Sequence, residues 1–128
     1  MNCTKKKTLQ MAIPALREKL REQAVERSVR LHRSVARAAT VEMAAFPEYD
    51  GEVQQERELI DELLYIQCCR ASLERAIANG SGKLHWRWVN GETTVVTFKR
   101  DHNQMRMRVE RPSGKRGTAR AVPLLNLQ

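Results

Sequence analysis

Lys83-Leu84-His85-Trp86-Arg87-Trp88-Val89-Asn90-Gly91-Glu92-Thr93-Thr94-Val95-Val96-Thr97-Phe98-Lys99 is the stretch that decides how this chain folds. Leu84, Trp86 and Trp88 alternate with Lys83, His85 and Arg87, and Thr94, Val96 and Phe98 alternate with Thr93, Val95 and Thr97. A period of two marks strands with one apolar face, and Asn90-Gly91 between them is a strong turn signal. A two-residue loop would pair Trp86 with Val95 and turn Phe98 to the same side as His85 and Arg87. A three-residue loop with Gly91 at a bulge pairs Trp86 with Thr94 or Val96, and gathers Leu84, Trp86, Trp88, Val96 and Phe98 on one face. The second register is expected, because a shift of one residue would send Phe98 to solvent.

The pattern extends toward the C-terminus. A polar loop, Arg100-Asp101-His102-Asn103, is followed by Met105, Met107 and Val109 alternating with Arg106, Arg108 and Glu110. The spacing predicts three strands, at about 83–89, 93–99 and 104–110, in an antiparallel meander. Residues 111–128 read as a flexible basic stretch (Arg111 to Gly117) that ends in an apolar run from Ala121 to Leu127.

Toward the N-terminus the period becomes helical. Leu59, Leu63, Ile66, Leu73 and Ile77 predict a helix over about 52–79, with Asp50 as its N-cap and Gly80 as its left-handed stop. Before Pro47, no glycine interrupts the chain, and the only proline, Pro14, suits a first helical turn. Leu16, Leu20, Ala24, Leu31, Val35 and Ala38 form one apolar row, and Val25, Val29, Ala36, Ala39, Met43 and Phe46 form a second. A single helix over about 11–46 is expected, behind a basic flexible N-terminus at 1–10. The fold class is therefore α+β: a long antiparallel helical hairpin, then a three-stranded antiparallel β-meander and a basic C-terminal tail, with one domain over 11–110.

The charge is unevenly distributed. Of a net +8, residues 1–47 carry +6, residues 48–82 carry −5 and residues 83–128 carry +7. The acidic block is too small to neutralise both basic ones, so one cationic surface is expected to remain open to a polyanion. No run of apolar residues is long enough for a membrane span or a secretory signal, and a soluble cytoplasmic protein is expected. Cys3, Cys68 and Cys69 make an odd count with two adjacent, a poor disulfide framework and consistent with thiols in a reducing compartment.

Catalytic chemistry finds no constellation. His32, His85 and His102 stand in no zinc spacing, there is no phosphate-cradling glycine loop or nucleophile elbow, and Glu58 with Glu62 reads as a solvated acidic face. A non-enzymatic binding protein without a cofactor is expected. The candidate nucleic-acid or polyanion contacts are His85, Arg87, Lys99, Arg106 and Arg108 on the outward sheet face, joined by Lys115, Arg116 and Arg120 of the tail. Alternate side chains along a strand lie about 7 Å apart, comparable to the phosphate repeat of a nucleic-acid strand. The face lacks aromatic residues, so electrostatic contact of low sequence specificity is implied rather than base stacking. A secondary basic row, Arg27, Arg30, Arg33 and Arg37, lies on the first helix.

The leading reading is a nucleic-acid-binding accessory or regulatory protein. The alternative is a phage- or plasmid-type inhibitor or adaptor that docks on a nucleic-acid-handling complex, such as a nuclease or CRISPR-type defence effector, and blocks it. In that case Glu52, Glu56, Glu58, Asp61 and Glu62 would be the protein contact. A helix of some 33 residues would be about 50 Å long, against a radius of gyration near 14 Å for a compact domain of this length. The first helix should therefore overhang the rest, and a homodimer through it is expected.

Overall fold

The computed structural model describes residues 4–40 and 47–112. Its elements are β1 (Thr4–Ala12), α1 (Ile13–Thr40), α2 (Pro47–Asn79), β2 (Ser81–Arg87), β3 (Thr93–Asp101) and β4 (Gln104–Pro112). The fold is α+β, with the two helices packed antiparallel on one face of an antiparallel sheet of order β1-β4-β3-β2.

The β2–β3 hairpin takes the register that buries Phe98. Trp86 lies opposite Thr94 and Leu84 opposite Val96. The Trp88 N–H donates to the Glu92 carbonyl and the Gly91 N–H to the Trp88 carbonyl, both at 2.8 Å, which closes a three-residue loop. Gly91 has φ 94°, a left-handed conformation that costs glycine no Cβ clash. The Trp88 indole N–H donates to Thr94 Oγ1 at 2.7 Å, so the buried tryptophan keeps its polar edge satisfied.

The sheet has four strands rather than three. Residues 4–12, of which 4–10 were expected to be flexible and 11–12 to begin the first helix, form an edge strand antiparallel to β4, with Leu9 opposite Met107 and Met11 opposite Met105. The lysine run hides the strand from a hydropathy reading, but Leu9 and Met11 alternate, and each covers a methionine that the other strands leave open at that edge. Charged residues also suit an edge strand, because they resist pairing with foreign strands.

The helix boundaries shift for similar reasons. The chain turns into α1 at Ile13, not at 11, and the Ile13 N–H donates to the Asn103 carbonyl at 3.0 Å, which fixes the start of α1 to the β3–β4 turn. The second helix begins at Pro47 rather than 52. Proline fits a first helical position, since its missing N–H would have no intrahelical partner there. Asp50 therefore lies within the first turn instead of capping it. At the other end Gly80 has φ 92° and its N–H reaches the Ala76 carbonyl at 2.7 Å. Arg100, from the expected loop, belongs to β3 and donates through Nη1 to the Ile77 carbonyl and through Nε to the His102 carbonyl, both at 2.8 Å. This places a cation on the negative end of the helix dipole.

The core joins Ile13, Leu16, Leu20 and Ala24 of α1 to Tyr65, Ile66, Cys69, Leu73 and Ala76 of α2, over Val96, Phe98, Met105, Met107 and Val109 of the sheet. Each large aliphatic side chain buried there contributes about 1.5–3 kcal/mol. Tyr65 packs at the junction with its ring tilted against both tryptophans, 4.7 Å from that of Trp88 and 5.7 Å from that of Trp86. Past Ala24 on α1, and before Asp61 on α2, no described side chain is buried. The helices continue as a paired arm, clasped by Arg27 and Glu62 at 2.6 Å.

Candidate nucleic-acid interface

The pleat sends odd-numbered residues of β2 and β3, and even-numbered residues of β4 and β1, to the side away from the helices. The paired registers then give cross-strand rows on this outer face: His85, Val95 and Glu110; Lys83, Thr97, Arg108 and Thr8; Ser81, Lys99, Arg106 and Gln10. Arg87 lies opposite Thr93 at the end of the face. His85, Arg87, Lys99, Arg106 and Arg108, the five sheet residues expected to contact a polyanion, are thus on one surface, and all are exposed.

They are not electrostatically equivalent. Arg108 Nε is 3.2 Å from the Glu110 carboxylate, and Arg106 is 3.8 Å from Asp101. His85, Arg87 and Lys99 make no ion pair or side-chain hydrogen bond among the described residues, and neither does Lys83, which the sequence reading omitted. The free charge is therefore displaced toward the β2 side. Lys83, His85 and Arg87 occupy successive outward positions of one strand, a column about 13 Å long. Lys83 was visible in the same alternation that gave His85 and Arg87. Thr8 and Gln10 could not be found without β1. No aromatic side chain faces outward among the described residues of these strands, and Lys115, Arg116 and Arg120 lie outside the described residues.

The other sequence candidates lie on the helices, and several pair within the chain. In the secondary row Arg27 turns inward to Glu62, Arg30 pairs with Glu26 at 3.2 Å, and Arg33 and Arg37 are exposed on the arm. In the acidic group Asp61 is buried and accepts the Val89 N–H at 2.8 Å, Glu62 faces Arg27, and Gln54 donates to Glu58 at 3.5 Å. Glu56 is half-buried, and the Glu52 side chain lies outside the described residues. Asp61, Glu58 and Glu62 are thus partners of this chain's own groups. Burial pushes the Asp61 carboxyl up from the usual carboxylate range, partly opposed by the Val89 N–H and the Trp86 side chain.

Two buried groups and one cleft among the described residues bear on reactivity. Burial pushes the Cys69 thiol up to about 12 and, beside that thiol, holds the Tyr65 phenol protonated, so neither is a nucleophile near neutral pH. An open cleft of about 320 Å³ between the helices, lined by Pro14, Arg17, Arg21, Arg70 and Glu74 among others, is occupied by ion pairs. There Arg17 and Glu74 form a two-pronged pair with both distances 2.8 Å, and the guanidinium holds the Glu74 carboxyl below the ordinary range. Among the described residues no three His, Cys, Asp or Glu side chains are grouped to hold a metal ion, and no helix is long and apolar enough to cross a membrane.

The fold and this face define a two-layer α+β protein with a cationic, aromatic-free sheet surface. No protein-family model, curated protein or solved structure matches the chain.

Proposed function

We propose that this protein is a non-enzymatic binder of nucleic acid, acting as an accessory or regulatory factor, and that it holds the phosphate backbone on the outer face of its sheet. The observation that carries this reading is the set Lys83, His85, Arg87 and Lys99, exposed on one rigid face without a carboxylate partner among the described residues. Successive outward positions lie about 7 Å apart, a spacing comparable to that of phosphates along a nucleic-acid strand.

The chemistry sets the mode of contact. With no aromatic platform, bases are not stacked, and with no bidentate arrangement aimed at base edges, sequence is not read directly. Thr8, Gln10, Thr93 and Thr97 add hydroxyl and amide groups able to hydrogen-bond phosphate oxygens between the cations. Arg106 and Arg108 contribute less, because a phosphate must first compete with Asp101 and Glu110.

The test is binding of the purified chain to a duplex and to a single strand of unrelated sequence over a range of salt. Affinity should fall linearly in log–log form with salt and differ little between sequences. Absence of binding at 50 mM salt, together with a stoichiometric complex recovered with a nuclease or defence effector, would favour the inhibitor or adaptor reading instead.

A further inference from the structure

We propose that the apolar run at residues 121–127 packs back onto this domain, on a patch formed by Ile60 and Leu64 of α2 with Trp86 and Val89 of the β2–β3 hairpin. Among the described residues the apolar layer is unfinished here. Ile60, Leu64 and Val89 are 40%, 46% and 62% exposed, and Trp86, though it points toward the helices, is only half-buried. Two contacts hold the patch together. Asp61 accepts the Val89 N–H at 2.8 Å, and the Tyr65 ring lies 5.7 Å from that of Trp86. Glu62 faces Arg27 of α1. Ile60 and Leu64, each two residues from it, are carried about 160° round the helix to the side that α1 does not cover.

The place where the described chain ends selects the occupant. Pro112, the last residue of β4, stands two residues beyond the pairing of Val95 with Glu110. It is therefore level with Thr93 and Arg87, at the end of the sheet where the hairpin carries Val89. From β4 to β2 is two strand spacings, about 10 Å. Residues 113–120 span up to about 26 Å when extended, so the run that follows them reaches the patch. That run, Ala-Val-Pro-Leu-Leu-Asn-Leu, supplies the apolar side chains. The other stretches outside the described residues fit less well. Residues 1–3 precede β1, on the opposite edge of the sheet. Residues 41–46 are tethered to the start of α2 at Pro47, about 20 Å along the helix from Ile60.

Glu92 supplies a second, independent reason. It lies in the same hairpin loop, its carbonyl accepting the Trp88 N–H at 2.8 Å. Its side chain is buried, and Oε1 has no hydrogen-bond partner among the described residues. A buried carboxylate oxygen without a donor is costly. The chain leaving Pro112 passes this loop, and Ser113, Lys115 and Arg116 bring the next side-chain donors along it. Docking of the run would also hold Lys115, Arg116 and Arg120 near Arg87 and extend the cationic face, a consequence that rests on the reading under Proposed function.

NMR of the full chain with labelled methyl groups tests the contact directly. Cross-peaks are expected between the methyls of Leu64 or Val89 and those of Leu124, Leu125 or Leu127. They should persist on dilution and be lost when Leu124→Asp is combined with Leu125→Asp. The chain has two tryptophans, and Trp88 is buried, so acrylamide quenching of the fluorescence reports chiefly on Trp86. Quenching should rise in that double variant and in Leu64→Asp, and stay at the parent's level in Val35→Asp on α1, with circular dichroism alike in all. Absence of the cross-peaks, cross-peaks that vanish on dilution (the run of another copy), or quenching unchanged in the double variant would overturn the proposal. Duplex binding by a chain that lacks the contact would reject this docking alone, whereas the contact without affinity for polyanions would reject the proposed function alone.

Discussion

Neutralising the unpaired cations of the sheet, and separately the paired ones, gives the sharpest test of where a polyanion is held. Consider Lys83→Gln, Arg87→Gln and Lys99→Gln together. Each position is exposed and unpaired among the described residues, so the folded state gains or loses little from the change. If each cation neutralises one phosphate, each contributes about 0.9 to the slope of log affinity against log salt on duplex DNA. The triple variant should therefore lower the slope by about 2.7, and at 0.1 M salt weaken binding about 500-fold. Arg106→Gln with Arg108→Gln should do less. Those guanidinium groups already face Asp101 at 3.8 Å and Glu110 at 3.2 Å, and a phosphate gains only by displacing them. Surface pairs of this kind contribute about 0–1 kcal/mol, so the double variant should change the slope by less than about 1.8. The assay is fluorescence anisotropy of a labelled duplex at 50, 100 and 200 mM salt. A triple variant whose slope equals the parent's, or a double variant with the larger loss, would refute the assignment of the free charge to the β2 side.

Further outcomes follow from the interior. Asp61 is raised by burial, so in the folded protein its ionised form is disfavoured, and the associated stability, present below the ordinary carboxyl range, is lost as pH rises through it. Asp61→Asn keeps an oxygen for the Val89 N–H without the charge; the melting temperature of the variant should therefore gain on that of the parent as pH rises from 3 to 7, and a constant difference would contradict this. Cys69 is buried with its thiol pushed up to about 12, so a maleimide should modify it only through unfolding, while the half-buried Cys68 reacts sooner; mass spectrometry of partly labelled protein would show an equal rate at both if the packing were wrong. Thr94→Val removes the acceptor 2.7 Å from the Trp88 indole N–H and should cost about 1–3 kcal/mol in chemical denaturation, an unchanged midpoint being the contrary result. Gly82→Val forces a branched side chain against the Ser72 carbonyl and Ala76 and should destabilise by about 1–3 kcal/mol, with wild-type stability counting against the close approach of α2 to β2.

How much of this protein was legible before folding is clearest at particular residues. The alternation from Leu84 to Val109 was sufficient to orient β2, β3 and β4, because each strand has one apolar face and burying Phe98 and the tryptophans together admits a single register. The same parity placed His85, Arg87, Lys99, Arg106 and Arg108 on the outer side. The helices were legible from their period, and the stop at Gly80 from its residue type. β1 was not legible: Thr4 to Gln10 is too polar to announce a strand, and it becomes one only because β4 presents a pairing edge and Met105 and Met107 need cover from Leu9 and Met11.

The sequence by itself determined the period of each segment, the side on which its charges lie and the excess of cations over anions, since these depend on local geometry and composition. Only the tertiary structure decided which cations are free. Glu110 reaches Arg108 along its own strand and Asp101 reaches Arg106 across the β3–β4 turn, whereas Lys83 and Arg87 of β2 have no carboxylate partner among the described residues. Asp61 and Glu62, which composition presents as an acidic surface, became the anchor of the hairpin loop and the clasp of the arm. Pairing of charges depends on distances between segments far apart in the chain, and those distances exist only once the helices have packed on the sheet.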